Sequence, residues 1–356
     1  MELRINDRFV NRKIEFFNNF DFTLTYDAVA SAFAFKFLFD PDNPEHKELA
    51  CIGHYHTVQL IHNGELLLTG YLLSQNFKDK PVPEMTAFGG YSLGGVIEDC
   101  DIPPDLFPLQ YDGLSLRQIA GKLLSKFPEV GMVVDGSVAA KMDEAFATTT
   151  ATEGQSIKAY LTELATQKNI IISHDAKGRV LFTKAKANAK PVLDYENGGT
   201  PFTSMELTYN GQGMHSHITM MKDADADAGN AGEETIRNPL VPFVYRPKVL
   251  KQSSGTDNNT TDAAKQAVAA EIKGGVKLTI ETDRWMVGDK ILRPGAIINA
   301  RNPRVYLYNK TRWFVEAIQF KGTHELTTAY VNCVLPSVYD GSTPVYPWKG
   351  INLHAK

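Results

Sequence analysis

Large apolar side chains alternate with smaller or polar ones through residues 21–39. They stand at Phe22, Leu24, Tyr26, Phe33, Phe35, Phe37 and Phe39. A period of two places every second side chain on the same face, which is typical of a half-buried strand. The alternation breaks at residues 28–31, where we expect a turn or bulge, and the proline- and aspartate-rich residues 40–44 end it.

The next apolar runs, at 56–61 and 65–73, flank Asn63-Gly64. Because both central residues of a tight hairpin turn need positive φ, Asn-Gly is a strong short hairpin signal. Residues 84–99 add another strand and the glycine pairs at 89–90 and 94–95. The first hundred residues are therefore predicted to form a small antiparallel barrel or sandwich.

A helical period replaces the alternation in the middle of the chain. Ser115, followed by Gln118, can form a capping box ahead of an apolar stripe over 116–127, and Ser156 can cap a second helix over 157–164. Apolar runs at 130–134, 170–172 and 180–182 predict strands among these helices. We expect a small α+β insert block over residues 105–190, following a first β domain over 1–104.

Strand patterns return after Pro191 and predict a second β domain over 191–345. The predicted strands cover 204–209, 215–221, 276–282, 296–300, 305–308, 313–321 and 326–335. An alanine-rich helix is predicted at 262–273, and residues 222–238 are expected to form an acidic loop. The proline-containing end, from Pro336 and above all at 346–356, is expected to be an extended tail.

Bulk composition indicates an ordinary globular protein of two or three domains. The 356 residues are 43% hydrophobic and 22% charged, with a net charge of −4. This charge disfavours a protein that grips nucleic-acid phosphates. No run is long and apolar enough for a membrane helix, and Met1–Asn6 has no secretory pattern, so we expect cytoplasmic folding. Cys51, Cys100 and Cys333 are odd in number and widely spaced, which predicts buried free thiols.

One acidic segment has the spacing of a calcium loop. Its carboxylates fall at loop positions 1, 3, 5 and 12, at Asp223, Asp225, Asp227 and Glu234. The turn position that requires glycine is Ala228, and the flanking residues are predicted as strand and coil. A solvated acidic loop is therefore favoured over a calcium site.

Other candidate chemistry is sparse. His54/His56 and His215/His217 are i, i+2 pairs that could bind zinc on a strand if both pairs converged, but half-exposed strand histidines explain them better. The glycine pairs at 89–95 lack the ending of a phosphate-binding loop and predict a close approach of backbones. We expect no catalytic residues, no cofactor and no enzymatic activity.

Several motifs, taken in order, resemble the baseplate hub proteins of Mu-like contractile-tailed phages. They extend over roughly residues 85–340. The motifs are Gly90-Tyr91-Ser92 followed by residues 96–100, the helix starts at 112 and 153, Asp175 with Gly178 to Leu181, Tyr245-Arg246-Pro247, the alanine-rich helix, and Gly288 with Leu292 and Pro294-Gly295.

The resemblance implies a mainly β protomer in which two similar antiparallel β-barrel domains flank the insert block. Three protomers would form a homotrimeric ring joining a six-fold tail tube to a three-fold central spike. The implied partners are the spike, tail tube and baseplate wedge proteins and the tape-measure protein, with DNA only as passing cargo and no membrane insertion. The implied location is the tail baseplate of a virion, tailocin or injection particle assembled in the bacterial cytoplasm. A carbohydrate-binding or glycoside-active β protein is the alternative.

Overall fold

Strands outnumber helices among the described residues, which confirms the mainly β class. The computed structural model describes residues 1–8, 10–14, 17–82, 84–107, 110–222, 233–252, 260–323, 327–342, 344 and 346–348. The chain divides into two compact units. The first contains residues 1–184 and 319–328, and the second contains residues 185–318 and 329–356.

The first unit begins with antiparallel strands in the order β3-β4-β7-β6-β5-β1-β2. Their bounds are β1 Glu2–Asn6, β2 Asn11–Ile14, β3 Asn19–Thr25, β4 Ala32–Phe37, β5 Thr57–His62, β6 Glu65–Asn76 and β7 Thr86–Ser92. Helix α1 (Pro44–Leu49) follows β4, and the Asn43 side chain caps it by accepting from the Glu45 main-chain N–H. A segment from much later in the chain belongs to this unit, because Phe320 stacks on Phe22 of β3 at 4.8 Å.

The predicted hairpin between β5 and β6 is confirmed. Asn63 and Gly64 have φ of 48° and 79°, as a tight hairpin turn requires. The predicted alternation is confirmed in β3 and β4, although Phe39 lies beyond the end of β4.

Stacked phenylalanine rings form much of this sheet's buried face. The Phe88 ring lies 5.4 Å from that of Phe35 and 4.7 Å from that of Phe37. All three side chains are buried. Fully burying one such side chain stabilises a fold by roughly 1.5–3 kcal/mol, so these alternate positions anchor the sheet.

The glycine pairs mark a close approach of backbones, as predicted. A Cβ on Gly90 of β7 would lie 1.8 Å from the carbonyl oxygen of Tyr71 in the neighbouring strand β6. A Cβ on Gly94 would lie 2.2 Å from the carbonyl oxygen of Val29. Such distances are too short for any side chain, so these glycines are required by packing and explain the unusual sequence.

The middle of the first unit is the predicted helix-and-strand block. Its helices are α2 Val96–Asp99, α3 Leu116–Leu124, α4 Ala139–Asp143 and α5 Ile157–Gln167, and its strands are β8 Met132–Val134, β9 Ile171–His174 and β10 Val180–Thr183. Strand β10 is central, parallel to β8 and antiparallel to β9.

Both predicted helix caps are present. The Ser115 hydroxyl accepts from the Gln118 main-chain N–H, and the Gln118 side chain accepts from the Ser115 main-chain N–H. The Ser156 hydroxyl likewise accepts from the Ala159 main-chain N–H at the start of α5. The apolar stripes of α3 and α5 pack into one buried cluster with the block's strands, and Val29 and Leu93 join it.

The second unit contains the remaining elements. They are β11 Leu193–Tyr195, β12 Ser204–Tyr209, β13 His217–Lys222, β14 Glu233–Arg237, β15 Pro247–Gln252, α6 Thr260–Gly275, β16 Val276–Thr282, β17 Met286–Val287, β18 Lys290–Ile291, β19 Ile297–Asn302, β20 Leu307–Gly322, β21 Thr327–Val334 and α7 Ser337–Asp340. The last four residues of β20 and the first two of β21 belong to the first unit.

The main strand order in the second unit is β12-β16-β21-β20-β19-β11. A smaller sheet has the order β14-β13-β15, with β15 parallel to β13, and α6 packs on β13 and β14. In the described residues the main order is an open path that ends at β12 and β11. Closure into barrels, like the domain limits at 104, 190 and 345, stays a prediction.

Four local predictions for the second unit need correction. Residues 233–237, predicted as acidic loop, form β14 because Ile236 pairs with Ile218 of β13. Strand β15 was not expected at all. Val305 belongs to a 3-10 turn (Pro303–Val305) that precedes β20. The end of the chain is not uniformly extended, since residues 337–340 form the helical turn α7.

Candidate interaction surface

The possible calcium loop is only partly described. Asp223, Asp225 and Asp227 lie outside the described residues, whereas Glu234 lies in β14, opposite Met220 of β13. Within the described part of the chain, no three histidine, cysteine, aspartate or glutamate side chains come close enough to hold a metal ion. The preference for a solvated acidic loop over a calcium site therefore stays a prediction.

The first histidine pair has two different environments, and neither residue lies in a strand. His56 is buried, with Nδ1 2.8 Å from Asp7 Oδ2 and Nε2 3.0 Å from the carbonyl oxygen of Glu48. His54 is exposed, with Nε2 3.1 Å from the Cys51 sulfur. The expectation of half-exposed strand histidines is wrong for this pair, because His56 joins buried hydrogen bonds instead.

The second histidine pair flanks the start of β13. His215 contacts Glu271 of α6 through its main-chain N–H and through Nδ1, both at 2.8 Å. His217 contacts the Ser216 hydroxyl and packs on the Tyr245 ring. Burial alone would raise the pKa of Glu271, but hydrogen bonds from Lys248 and His215 outweigh it and hold that pKa below its usual value. These contacts are structural.

All three cysteines are free thiols, as predicted. Only Cys333 is buried, and this burial raises its thiol pKa strongly. Cys51 and Cys100 are half-buried, so the prediction of buried thiols is wrong for these two. Burial, with the carboxylates of Asp99 and Asp101 nearby, also raises the pKa of the Cys100 thiol, so Cys100 and Cys333 lack the lowered pKa of a reactive cysteine.

The second unit carries an open groove of about 1000 Å³. Aromatic side chains from four separate segments line it, at Tyr209, Phe243, Tyr306, Tyr308, Tyr346 and Trp348. Strand β12 contributes further apolar side chains, Met205 and Leu207. An aromatic groove with few polar groups is typical of a binding site.

One wall of this groove is the loop at 240–245. It is held in place by the Tyr209 hydroxyl, which donates to the Leu240 carbonyl oxygen at 2.7 Å, and by Asn238, whose side chain accepts from the Leu240 main-chain N–H. Leu240 is buried, but Phe243 is 91% exposed. A fixed loop that presents a large apolar side chain to solvent indicates an interaction surface.

The turn between β19 and β20 also lines the groove. Tyr306 has a φ of 65°, in the left-handed region that a bulky side chain rarely adopts. Its ring lies 5.4 Å from that of Tyr308, edge to face, and both side chains are partly exposed. Strained backbone of this kind concentrates at functional sites.

Trp348 also lines the groove, and its ring lies 5.5 Å from that of Tyr209 and 5.4 Å from that of Tyr346. Among the described residues that line the groove, the charged side chains are Glu206 and Arg304. One carboxylate does not provide the paired acid and base of a glycoside hydrolase. The groove is therefore equipped for recognition.

Sequence reasoning missed this groove. The available signal was Phe243-Val244-Tyr245, an apolar run between Pro242 and Pro247 in a segment without strand alternation. No helix of the described chain is long and apolar enough to span a membrane.

Comparison with known proteins shows a shared fold. No protein-family model and no curated protein matches the chain. The 43-kDa tail protein of prophage MuSo2 from Shewanella oneidensis superposes with a TM-score of 0.78 at 15% identity, covering 96% of this chain and 99% of that chain. The tail protein from Neisseria meningitidis MC58 gives 0.76 at 16% identity, covering 96% and 98%.

A more distant match extends the comparison beyond prophages. The c3393 protein of E. coli is a component of the type VI secretion system and is structurally similar to the T4 bacteriophage tail proteins gp27 and gp5. It superposes with a TM-score of 0.55 at 9% identity, covering 97% of this chain and 80% of that chain. The chain thus has the fold of phage tail proteins, which confirms at the level of fold the resemblance found in its motifs.

Proposed function

We propose that this chain is a structural hub of a contractile-tail baseplate, in a virion or in a related tailocin or injection particle. The observation that carries the proposal is the superposition on a prophage tail protein over 96% of this chain and 99% of the other. A match over whole chains is what two proteins with the same place in an assembly would give. The proposed role is structural and not enzymatic.

In this proposal three copies form a ring between the tail tube and the central spike. The β domains at 1–104 and 191–345 would supply the ring, and the wedge and tape-measure proteins would be further partners. A ring of identical protomers needs two complementary surfaces on each chain. Exposed apolar side chains in both units, such as Ile52 and Val82 in the first and Phe243 in the second, support this arrangement.

Mass photometry and sedimentation test the ring directly. At tens of micromolar the protein, alone or with its spike protein, should give a species of three times the 39.5-kDa chain. Antibodies against the chain should decorate the baseplate end of purified particles. A strict monomer in the presence of spike and tube proteins, or label along the tail shaft, would contradict the proposal.

The net charge of −4 supports a ring whose lumen lets DNA pass without holding it. Lysine and arginine that neutralise phosphates bind DNA tightly at low salt. A DNA titration of the assembled ring at low salt should therefore show no submicromolar binding. Tight binding that weakens steeply with added salt would exclude a passive conduit.

A further inference from the structure

The aromatic groove lies along the outer edge of β12, which pairs with no further strand among the described residues. Strand β12 pairs with β16 on one side, where Asn210 N–H donates to the Gly275 carbonyl oxygen at 2.7 Å. Main-chain groups alternate direction along an antiparallel strand. Those of Met205, Leu207 and Tyr209 therefore face away from β16, and β12 is the last strand on this side of the sheet in the described chain.

The same alternate residues also line the groove with their side chains. Met205 is buried, Leu207 is half-buried and Tyr209 is exposed, so the strand offers apolar side chains of increasing exposure next to N–H and C=O groups that face away from β16. An extended polypeptide uses both features when it adds to a sheet edge, because its main chain pairs and its alternate side chains enter pockets. A sugar has no main chain of its own to pair with N–H and C=O groups spaced at every second residue.

Trp348 gives an independent sign of an absent partner. This side chain is only 9% exposed and lines the groove, and its Nε1–H has no acceptor among the described residues. Buried indole N–H groups normally donate a hydrogen bond. A carbonyl oxygen of a bound polypeptide would satisfy it.

The charges on the groove indicate the composition of the occupant. Glu206 and Arg304 are both exposed and both line it. A carboxylate and a guanidinium together complement a segment that carries one basic and one acidic side chain. They do not complement a polyanion such as nucleic acid.

We propose that this groove binds an extended segment of a partner polypeptide as an additional strand on β12. The segment has apolar side chains at alternate positions and places a main-chain carbonyl oxygen at Trp348. The strained turn at Tyr306 and the loop at 240–244 line the same groove and would contact the segment. This inference goes beyond the proposed hub role and does not depend on it.

The test is selection of binders to the full-length protein from a random octapeptide library, followed by synthesis of the enriched peptides. The chain has three tryptophans, so indole NMR with Trp348→Phe to assign the signal follows the Trp348 N–H directly. Bound peptides should shift this resonance. Methylation of alternate main-chain nitrogens in a peptide should abolish its binding.

Leu207→Pro provides the sharpest variant. It removes an outward N–H on an edge strand, a position where proline is tolerated, and it leaves the pairing with β16 intact. Leu207→Ala is the matched control, because it shortens the side chain but keeps the N–H. Affinity for the peptides should fall at least about tenfold in Leu207→Pro relative to Leu207→Ala. Trp348→Phe should cost roughly three- to tenfold, equivalent to one hydrogen bond.

Several outcomes would overturn the proposal. One is a library that yields no binders. Another is peptides whose affinity is unchanged by Leu207→Pro and Trp348→Phe, and a third is binding that survives main-chain methylation. Glycan binding that is lost in Tyr306→Ala and Tyr308→Ala but retained in Leu207→Pro would instead assign the groove to carbohydrate. Unchanged circular dichroism and melting temperature of each variant must accompany the comparison.

Discussion

A single carboxylate, Glu271 on α6, links that helix to Lys248 of β15 and to His215, two residues before β13. It accepts from the His215 main-chain N–H and from His215 Nδ1, each at 2.8 Å, and from Lys248 Nζ at 3.0 Å. The Glu271 side chain is 9% exposed. Replacing it by alanine would leave these donors without their acceptor, and replacing it by glutamine would keep the shape but remove the charge.

The expected loss of unfolding free energy depends on what happens to the two donor residues, His215 and Lys248. Breaking a buried ion pair costs about 3–5 kcal/mol when the remaining charge stays buried. Lys248 and His215 are partly exposed and regain water, so we expect about 2–3 kcal/mol for Glu271→Ala. Glutamine can still accept one hydrogen bond, so about 1–2 kcal/mol is expected for Glu271→Gln. For a unit of this size, each kcal/mol lowers the melting temperature by about 2–4 °C.

The pH dependence has a definite sign. The folded-state pKa of Glu271 is lowered, so its stabilisation is fully present above the unfolded-state pKa and is lost as pH falls through the folded-state pKa. An unfolded glutamate titrates near pH 4.3. The difference in unfolding free energy between wild type and Glu271→Gln should therefore be constant from about pH 7 to 5. It should close at lower pH.

Urea unfolding followed by tryptophan fluorescence measures this gap. Trp285, Trp313 and Trp348 all lie in the second unit, so their fluorescence reports on the unit that contains Glu271. Glu206→Gln, at an exposed carboxylate of the same unit, is the control and should change little. A Glu271→Gln protein as stable as wild type at pH 7, or a gap that persists unchanged at pH 3, would refute this account.

Three further predictions concern the remaining features. Gly90→Ala should destabilise the first unit by at least about 2–3 kcal/mol, because its Cβ would overlap the Tyr71 carbonyl oxygen, whereas Gly136→Ala has open space and should be neutral by circular dichroism. Ser115→Ala should cost about 1 kcal/mol in the same denaturation assay, because the α3 cap is lost. Millimolar calcium should leave the melting temperature unchanged, and a rise of many degrees would instead identify residues 223–234 as a calcium site.

Local chemistry determined the features that were predictable from sequence. The caps at Ser115 and Ser156 depend on residues within three positions, and the Asn63-Gly64 turn depends on its own two φ angles. Strand β14 was missed because its stability comes from pairing with β13 and from cover by α6, neither of which is visible in an acidic sequence. Strand β15 was missed because a proline begins it and a parallel partner far back in the sequence holds it.

The groove was beyond sequence reasoning for a related reason. Its walls come from segments near 205–209, 240–244, 303–308 and 346–348, which only the folded chain brings together. Each tyrosine taken alone reads as an ordinary residue of a strand or turn. The exposure of Phe243, and the lack of an acceptor for Trp348 Nε1–H within the described part of the chain, are properties of the tertiary structure.

The first unit is discontinuous, and this has a consequence for biosynthesis. Residues 319–328 complete it, with Gln319 donating to Asp21 and Phe320 stacking on Phe22 of β3. A ribosome must therefore translate residues 185–318 before this early-made strand receives its partner. At ordinary bacterial elongation rates that delay is on the order of ten seconds. During this delay the edge of β3 is open to other nascent chains. Slow translation, or truncation after residue 318, should therefore promote aggregation through β3, which is among the first strands to be synthesised.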